Sequence, residues 1–309
     1  MLLSVIIPTY NSQKFLKTCI KCLKQQLTRD IEFIFINDGS TDNSLKIIEY
    51  NIKNDNRFKI YSKKNTGYGD SCNYGISISK GKYIAIFEPD DYIPKDFYSE
   101  LINNIDGELD IIKYNGIYKV QNNQKSRLFN YYNHPKNNFY FRNYKKILYS
   151  HPSITNGIYK RDFIQRHKIK FCTGSGASYQ DEQFRISIFY TNPLTKIIDK
   201  CKYEYIIHGD NSINYKGKKL NIQAIEKNWQ EQLAWVTNQK FDVYFNYVYA
   251  YRQMLNIYKK TKNYQIVKSF FKIHNKMVYP NYFYYLNVNT FDLFKYYINL
   301  IKNKIKDFK

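Results

Sequence analysis

Residues 84–93 read Ile84-Ala85-Ile86-Phe87-Glu88-Pro89-Asp90-Asp91-Tyr92-Ile93, an apolar run that ends in three carboxylates. The β-forming residues between Gly81 and Pro89 are typical of a buried strand. Ligands of α/β sheets bind beyond the carboxyl ends of the strands, and carboxylate oxygens clustered there could hold a divalent cation. A polar turn is the alternative interpretation, because Asp and Pro are common turn residues. The neighbouring segments decide between the two.

Apolar runs and helical periodicities alternate in the segments before residue 84. Strands are predicted at residues 2–7, 31–36 and 58–61, and helices at residues 13–27, from about residue 45, and up to about residue 79. This order predicts the α/β fold class, with a mostly parallel sheet flanked by helices on both faces. The loops after these strands carry Asp38, the Gly67 and Gly69 turn, and the acids of residues 88–91. All of these loops should emerge at one edge of the sheet, where a ligand would bind.

Four short segments in a fixed order resemble the motifs of the inverting family 2 glycosyltransferases. They are Val5-Ile6-Ile7-Pro8-Thr9-Tyr10-Asn11, Asn37-Asp38-Gly39-Ser40-Thr41-Asp42, Glu88-Pro89-Asp90-Asp91 and Gly176-Ala177-Ser178-Tyr179-Gln180-Asp181. Each segment alone is weak evidence, but four in the right order are specific. The resemblance covers residues 2–210 and implies a GT-A fold, with a Rossmann-like sheet, and a nucleotide-sugar donor.

Sugar transfer from a nucleoside diphosphate requires two chemical groups. The departing diphosphate gains negative charge, which bound Mn²⁺ or Mg²⁺ would stabilise as a Lewis acid. The acceptor hydroxyl must lose a proton to a general base as it attacks in line and inverts the anomeric carbon. The resemblance implies that Asp90 and Asp91 bind the metal and that Asp181 is the catalytic base. Alternatively, Asp181 and Glu182 simply open a helix and favour its dipole.

A nucleotide-binding set is also implied by the resemblance. Its members lie on the loops at the strand ends: Pro8, Thr9, Tyr10, Asn11, Asp38, Gly39, Asn65, Gly67, Glu88 and Asp90. Asp38 would contact the base side of the nucleotide. An Asx-turn role for Asp38, at the start of a helix, remains open.

Three positions depart from the family pattern. Glu88 stands where many relatives carry Asp, Cys72 stands where many carry Arg, and His208 lies where a Tyr-Arg pair is frequent. The longer Glu88 could reach the ribose, a metal-bound water or nothing. Lys64 is a candidate replacement for the missing Arg. His208 could be a metal ligand, a phosphate contact or a structural residue.

The sequence divides into a predicted catalytic domain, residues 1–212, and a helical, basic, aromatic-rich region, residues 213–309. Residues 216–309 contain 17 Lys or Arg and 5 Asp or Glu, a net charge of +12 out of +22 for the chain. Such a surface would suit an anionic membrane, although a genome rich in A and T explains the same composition. Nucleic-acid binding is not expected, because no recognised binding module is present.

Neither a secretory signal nor a run of eighteen apolar residues is found. A cytoplasmic location is therefore expected, with peripheral contact with the inner membrane as an option. Five cysteines, an odd number, argue against a disulfide framework.

The predicted function is metal-dependent hexosyl or N-acetylhexosaminyl transfer, preferably from a UDP-sugar. The predicted acceptor is a free or lipid-linked bacterial surface glycan: lipopolysaccharide, lipooligosaccharide or capsule. Alternatives are a catalytically idle nucleotide-sugar-binding subunit of a glycan-assembly complex, and a sugar-phosphate nucleotidyltransferase.

Overall fold

The computed structural model describes residues 1–122, 124–129, 134–144, 153–173, 179–208, 221–241 and 244–274. The chain divides into two compact units, Met1–Phe241 and Asp242–Lys309. The predicted boundary between residues 212 and 213 lies outside the described residues.

A central sheet of eight strands organises the first unit. These strands are β1 (Leu3–Thr9), β2 (Ile31–Asp38), β3 (Phe58–Lys63), β4 (Tyr83–Ile86), β5 (Ile111–Tyr114), β8 (Phe139–Tyr140), β9 (Gly157–Lys160) and β10 (Leu194–Ile198). Their order across the sheet is β3-β2-β1-β4-β9-β5-β10-β8. Strands β1 to β4 are parallel, and β9 runs antiparallel between β4 and β5. The predicted α/β class is confirmed.

A smaller sheet adjoins the site edge. It contains β6 (Ile117–Gln121), β7 (Gln124–Phe129) and β11 (Glu204–Ile206), in the order β11-β6-β7. An isolated bridge between Tyr92 and Glu204 joins β11 to the segment that follows the acids of residues 88–91. Residues late in the chain are thereby brought next to the end of β4.

Helices flank the central sheet. They are α1 (Leu16–Lys24), α2 (Ser44–Ile52), α3 (Tyr68–Ile78), α4 (Phe97–Asn103), α5 (Arg161–Arg166), α6 (Asp181–Thr191) and α7 (Ile222–Asn238), with a short 3₁₀ helix at Phe141–Asn143. Strands β1 and β2 are buried along their whole length, as expected of parallel strands covered on both faces. The helix predicted from Gln13 begins at Leu16, because the Ser12 carbonyl first accepts the N–H groups of Phe15 and Leu16 in a turn.

The described part of the second unit is a pair of helices, α8 (Tyr244–Thr261) and α9 (Tyr264–His274). Their buried residues include Ala250, Met254, Ile266 and Phe270. Among the described helices, none combines the length and apolar character needed to cross a membrane.

Candidate active site

The carboxyl end of β4 carries a cluster of three acids. The Phe87 N–H still donates to the Ile6 carbonyl (3.0 Å), and the chain then turns where the Asp91 N–H donates to the Glu88 carbonyl (3.1 Å). This turn brings one carboxylate oxygen each of Glu88, Asp90 and Asp91 to within 4.8 Å of one another. The predicted strand-end cluster therefore exists as a compact group of hard oxygen donors.

Asp91 is the most enclosed member of the cluster. Its Oδ2 accepts a hydrogen bond from the Tyr203 hydroxyl (2.5 Å), and its Oδ1 accepts one from the Ile206 N–H (3.0 Å). Burial, followed by the charges of Glu88 and Asp90, raises the pKa of Asp91 well above its usual range. Asp91 thus ties the acidic turn to β11, and a metal ion would have to share its oxygens with these donors.

Asp90 is paired with His208. The His208 Nε2 and the Asp90 Oδ2 are 2.9 Å apart, and the imidazole also packs on the Phe15 ring with centroids 4.5 Å apart. The structure therefore brings together two residues that the sequence proposed as metal ligands from positions 118 residues apart.

Glu88 contacts helix α3. The Tyr68 hydroxyl donates to the Glu88 Oε1 (3.1 Å), and Cys72, at the position of the missing Arg, is buried beside Tyr68. Burial raises the pKa of Glu88 to about 8, with smaller contributions from the charges of Asp90 and Asp181. A neutral hydroxyl rather than a cation therefore faces Glu88 from this helix.

Asp181 begins helix α6 and lies close enough to Glu88 for their charges to interact. Burial raises the pKa of Asp181, and Arg185 opposes this shift. Glu182 is buried and pairs with Arg185 at 3.4 Å, whereas Asp181 is only partly buried. Of the two adjacent acids, Asp181 is the one placed toward the cluster. The segment Gly176-Ala177-Ser178 of this motif lies outside the described residues.

Asp38 holds the loop that follows β3. Its Oδ1 accepts hydrogen bonds from the Thr66 N–H (2.9 Å) and the Lys63 Nζ (2.5 Å), and its Oδ2 accepts one from the Gly67 N–H (2.8 Å). Lys63 also pairs with Asp70 at 3.0 Å. Lys63 therefore supplies the cation that pairs with Asp38 and Asp70. The Asx-type contacts in the loop after β2 include those of Asn37, whose Oδ1 accepts from the Ser40 N–H (3.2 Å), and of Asp42, whose Oδ1 accepts from the Ser44 N–H (2.9 Å).

Hydrogen bonds of Asn11 and a close approach at Gly39 bring the loops with the predicted nucleotide-binding residues together. The Asn11 Oδ1 accepts from the Thr41 N–H (2.8 Å) and the Asn11 N–H donates to the Ser40 Oγ (3.1 Å), while Asn11 has a φ of 47°. A Cβ at Gly39, which has a φ of +66°, would lie 2.9 Å from the Asn65 nitrogen. The loops after β1, β2 and β3 are thus joined into one surface.

Three residues at the end of β1 differ in accessibility. Pro8 lies within β1 opposite Ile36, rather than ending the strand, and the pairing of β1 with β4 stops earlier, at Ile6. Its missing N–H is therefore not needed for the ladder toward β4.

Thr9 is buried, with its hydroxyl donating to the Ile7 carbonyl (3.1 Å), whereas Tyr10 is 49% exposed. Tyr10 offers an accessible ring at this edge.

Several residues that shape the site carry no local signal in the sequence. Tyr203 and Tyr68 contact the acidic cluster from distant parts of the chain, and Gln180, at the start of α6, contacts Gly69 of α3. The position of Tyr68 directly after the Gly67 turn was the one available indication.

The region that contains the β4 acids matches the family described as Glycosyl transferase family 2, over residues 4–168. The match covers more than half of the chain. The chain belongs to glycosyl transferase family 2. Its order of motifs and its sheet agree with this membership.

The relatives of this chain include bacterial proteins. EpsH of Bacillus subtilis strain 168, a glycosyltransferase by name, is 28% identical over 225 residues, 70% of this chain and 64% of EpsH. The chondroitin synthase of Escherichia coli is 26% identical over 230 residues, 72% of this chain and 31% of that protein. The family 2 chain therefore spans less than two thirds of the length of both relatives.

A solved structure supports the fold of this family 2 member. S. aureus TarS 1–349, in complex with UDP-GlcNAc, aligns with a TM-score of 0.70 and 18% identity, covering 89% of this chain and 80% of that chain. The expected GT-A-type fold is confirmed.

Proposed function

We propose that this protein is a metal-dependent, inverting glycosyltransferase that moves a sugar from a UDP-sugar to a hydroxyl of a bacterial surface glycan. The observation that carries this proposal is the compact cluster of Glu88, Asp90 and Asp91, together with the charge of Asp181 acting on Glu88. The reaction needs a leaving-group site and a base site, and we assign the first to the acids at the carboxyl end of β4 and the second to Asp181.

The three acids fit a divalent cation. Their oxygens are hard ligands within 4.8 Å of one another. Burial raises the pKa of Glu88, the charges of Asp90 and Asp181 add to this shift, and a bound cation would oppose it. Asp90 and Asp91 would hold Mn²⁺ or Mg²⁺, with Glu88 and His208 as the remaining candidates. When bound, the cation supplies Lewis-acid stabilisation of the departing diphosphate.

Asp181 would serve as the general base. It would accept the proton of the acceptor hydroxyl as that oxygen attacks the anomeric carbon from the side opposite the diphosphate, which inverts the configuration. Burial raises the pKa of Asp181, which makes its carboxylate a stronger base, and the charge of Arg185 opposes this shift. Glu182 is a poorer candidate because its carboxylate is buried against Arg185.

The loops after β1, β2 and β3 would form the nucleotide pocket. Asn11, Gly39, Asn65 and Gly67 shape its backbone, and the exposed ring of Tyr10 could stack on the base. Asp38 would act in part by holding the loop at Thr66 and Gly67. A uridine nucleotide is favoured because the aligned TarS structure contains UDP-GlcNAc.

The acceptor class follows from the kinds of proteins that the chain resembles. EpsH is a glycosyltransferase by name and the E. coli relative is a chondroitin synthase, which supports a role in bacterial polysaccharide synthesis. Lipopolysaccharide, lipooligosaccharide and capsule are the proposed destinations.

Peripheral contact with an anionic membrane is the proposed role of the helices of the second unit. Residues 244–274 contain six Lys or Arg and no Asp or Glu, and Lys262, Lys268 and Lys272 are exposed. Cationic helices of this kind are attracted to anionic headgroups, where a lipid-linked acceptor would be located.

A donor screen tests the proposed reaction. The full chain is incubated with UDP-glucose, UDP-galactose and their N-acetyl forms, and with GDP- and dTDP-sugars, while nucleotide release is measured with Mn²⁺, with Mg²⁺ and with a chelator. Cation-dependent UDP release from one UDP-sugar is expected. Release that is unchanged by the chelator would contradict the metal assignment, and turnover of only GDP- or dTDP-sugars would contradict the uridine assignment.

A further inference from the structure

The first turn of α3 contacts both halves of the proposed site. The Tyr68 hydroxyl donates to Glu88, and the N–H of the next residue, Gly69, donates to the Gln180 Oε1 at 2.7 Å. Gln180 immediately precedes Asp181. Two consecutive residues of α3 therefore join the acidic cluster to the start of the base-bearing helix.

The backbone on both sides of this contact is closely packed. A Cβ at Gly69 would lie 1.9 Å from the Cys172 carbonyl oxygen, so the chain at residue 172 lies directly against α3. The Cys172 N–H donates to the Gln180 carbonyl (3.0 Å), and the Asn73 side-chain amide exchanges two hydrogen bonds with the Phe171 backbone (3.0 and 2.9 Å). Gln180 is thus held to α3 both directly and through the segment at Phe171 and Cys172.

The side chain of Gln180 is used in an unusual way for its position. Gln180 is the N-cap residue of α6. Side chains at this position commonly accept hydrogen bonds from the free N–H groups of their own helix, yet the Gln180 side chain makes no such bond. Its carbonyl oxygen instead satisfies an N–H in the first turn of α3, a group that has no partner within that helix. Because Gln180 is fully buried, loss of this hydrogen bond would leave its donor and acceptor without water as a replacement partner, which costs free energy.

We propose that Gln180 is a positioning residue, whose side-chain carbonyl fixes Asp181 relative to the acidic cluster by bonding to Gly69 of α3. The inference rests on the proposed function, because it takes Asp181 as the base. A base must lie within hydrogen-bond reach of the hydroxyl that it deprotonates, and displacement by about 1 Å can lower the rate by about a hundredfold. Loss of this bond should therefore lower kcat more than it affects nucleotide binding.

Four variants of the full chain test the proposal. Gln180→Met keeps the length of the side chain without an acceptor, Gln180→Asn keeps the amide but cannot reach Gly69, and Gln180→Glu keeps an acceptor oxygen in the same place. Gln183→Met is the matched control, because Gln183 is a buried glutamine on the same helix that accepts from the Cys172 Sγ (3.1 Å) instead of from α3.

The measurements are UDP release with Mn²⁺ from the UDP-sugar selected by the donor screen, UDP affinity by calorimetry, and melting temperature. For Gln180→Met and Gln180→Asn we expect kcat to fall by about tenfold or more, with UDP affinity within about twofold of wild type. Gln180→Glu should retain kcat within about threefold, and so should Gln183→Met.

A wild-type kcat in a folded Gln180→Met or Gln180→Asn protein would overturn the inference, and so would an equal loss of kcat in Gln183→Met. If neither Gln180→Met nor Gln180→Asn folds, a tenfold loss in a folded Gln180→Glu protein would also overturn it. An Asp181→Asn variant distinguishes failure of the base assignment from failure of the positioning role. Full activity of that variant would reject the base assignment itself, whereas an inactive Asp181→Asn with an active Gln180→Met would reject only the positioning role.

Discussion

The acidic residues of the site differ in what already binds their oxygens. Asp91 accepts from Tyr203 and Ile206, Asp90 faces His208, and Glu88 accepts from Tyr68. Removal of a carboxylate therefore has different consequences at each position, since some of these oxygens support the fold as well as the proposed chemistry.

The Asp181→Asn variant tests whether the carboxylate of Asp181 is the general base. The amide cannot accept the acceptor proton, so turnover should fall by about a hundredfold to ten-thousandfold, while UDP affinity by calorimetry stays near wild type. Glu182→Gln is the matched control and should retain turnover, because Glu182 is buried against Arg185. Wild-type turnover in Asp181→Asn would reject the assignment.

Asp90→Asn and Asp91→Ala test the metal site. Both should weaken the Mn²⁺-dependent part of UDP binding by about tenfold or more, because each removes an anionic ligand. Asp91→Ala should in addition lower the free energy of unfolding by about 2 kcal/mol, because the buried Tyr203 hydroxyl and the Ile206 N–H lose their acceptor. Calorimetry with and without a chelator, combined with urea denaturation, separates the effects. Equal Mn²⁺ dependence in wild type and both variants would place the metal elsewhere.

Lys113 makes stability depend on pH. Its Nζ donates to the Ser153 carbonyl (2.6 Å), and burial, followed by the charge of Arg185, lowers its pKa from 10.5 to about 7. Between these values the unfolded chain holds a proton that the folded protein has lost. The free energy of unfolding should therefore rise with pH from about 7 toward 10.5, by up to about 1.4 kcal/mol per pH unit.

The Lys113→Met variant isolates this contribution. Urea denaturation at pH 7 and pH 9 should show a smaller gain in stability for Lys113→Met than for wild type. Lys82→Met, at an exposed lysine, is the control and should keep the wild-type dependence. An identical pH dependence in Lys113→Met and wild type would show that Lys113 keeps an ordinary pKa in the folded protein.

At the scale of elements, α3 serves as the common support of the acidic turn and of helix α6. Its start at Tyr68 follows Gly67, whose φ of 105° favours glycine, and the loop before it is held by Asp38. The small residue at Gly69 then allows the segment at Cys172 to approach the helix closely.

Gly69→Ala tests this close approach. Alanine normally stabilises a helix interior by about 1 kcal/mol relative to glycine, but here its Cβ would meet a backbone oxygen. We expect a net loss of about 2 kcal/mol or more in the free energy of unfolding, together with reduced turnover. Ser77→Ala, at an exposed position of the same helix, should stay within about 0.5 kcal/mol of wild type. A gain in stability for Gly69→Ala would contradict the described packing.

At the scale of the whole molecule, the net charge of +22 is distributed unevenly along the sequence, with the excess of lysine concentrated after residue 216. Replacement of Lys262, Lys268 and Lys272 by Glu tests the proposed membrane contact. Binding to phosphatidylglycerol-containing vesicles should weaken by about 3 kcal/mol, or roughly a hundredfold, while vesicles of phosphatidylcholine alone bind neither protein.

The control carries the same change of charge on the first unit. Lys17, Lys46 and Lys53 are exposed on α1, on α2 and directly after α2, and their replacement by Glu should leave vesicle binding near wild type. Equal losses in both triple variants would attribute binding to net charge alone. Unchanged binding in the second-unit variant would reject the membrane role of these helices.

The sequence by itself determined the α/β class, the order of the first four strands, and the presence of acids at the carboxyl end of β4. These features depend on local periodicity, on turn residues such as Gly67, and on alternation of elements, all of which are written in neighbouring residues. Only the tertiary structure decided which distant residues form hydrogen bonds with the residues of the site. Tyr203 contacts Asp91 from 112 positions away, and Gln180 reaches Gly69 across 111. Such contacts depend on how distant segments pack. The residues around Gln180 do not indicate that its side-chain carbonyl will accept a hydrogen bond from a backbone N–H of another helix.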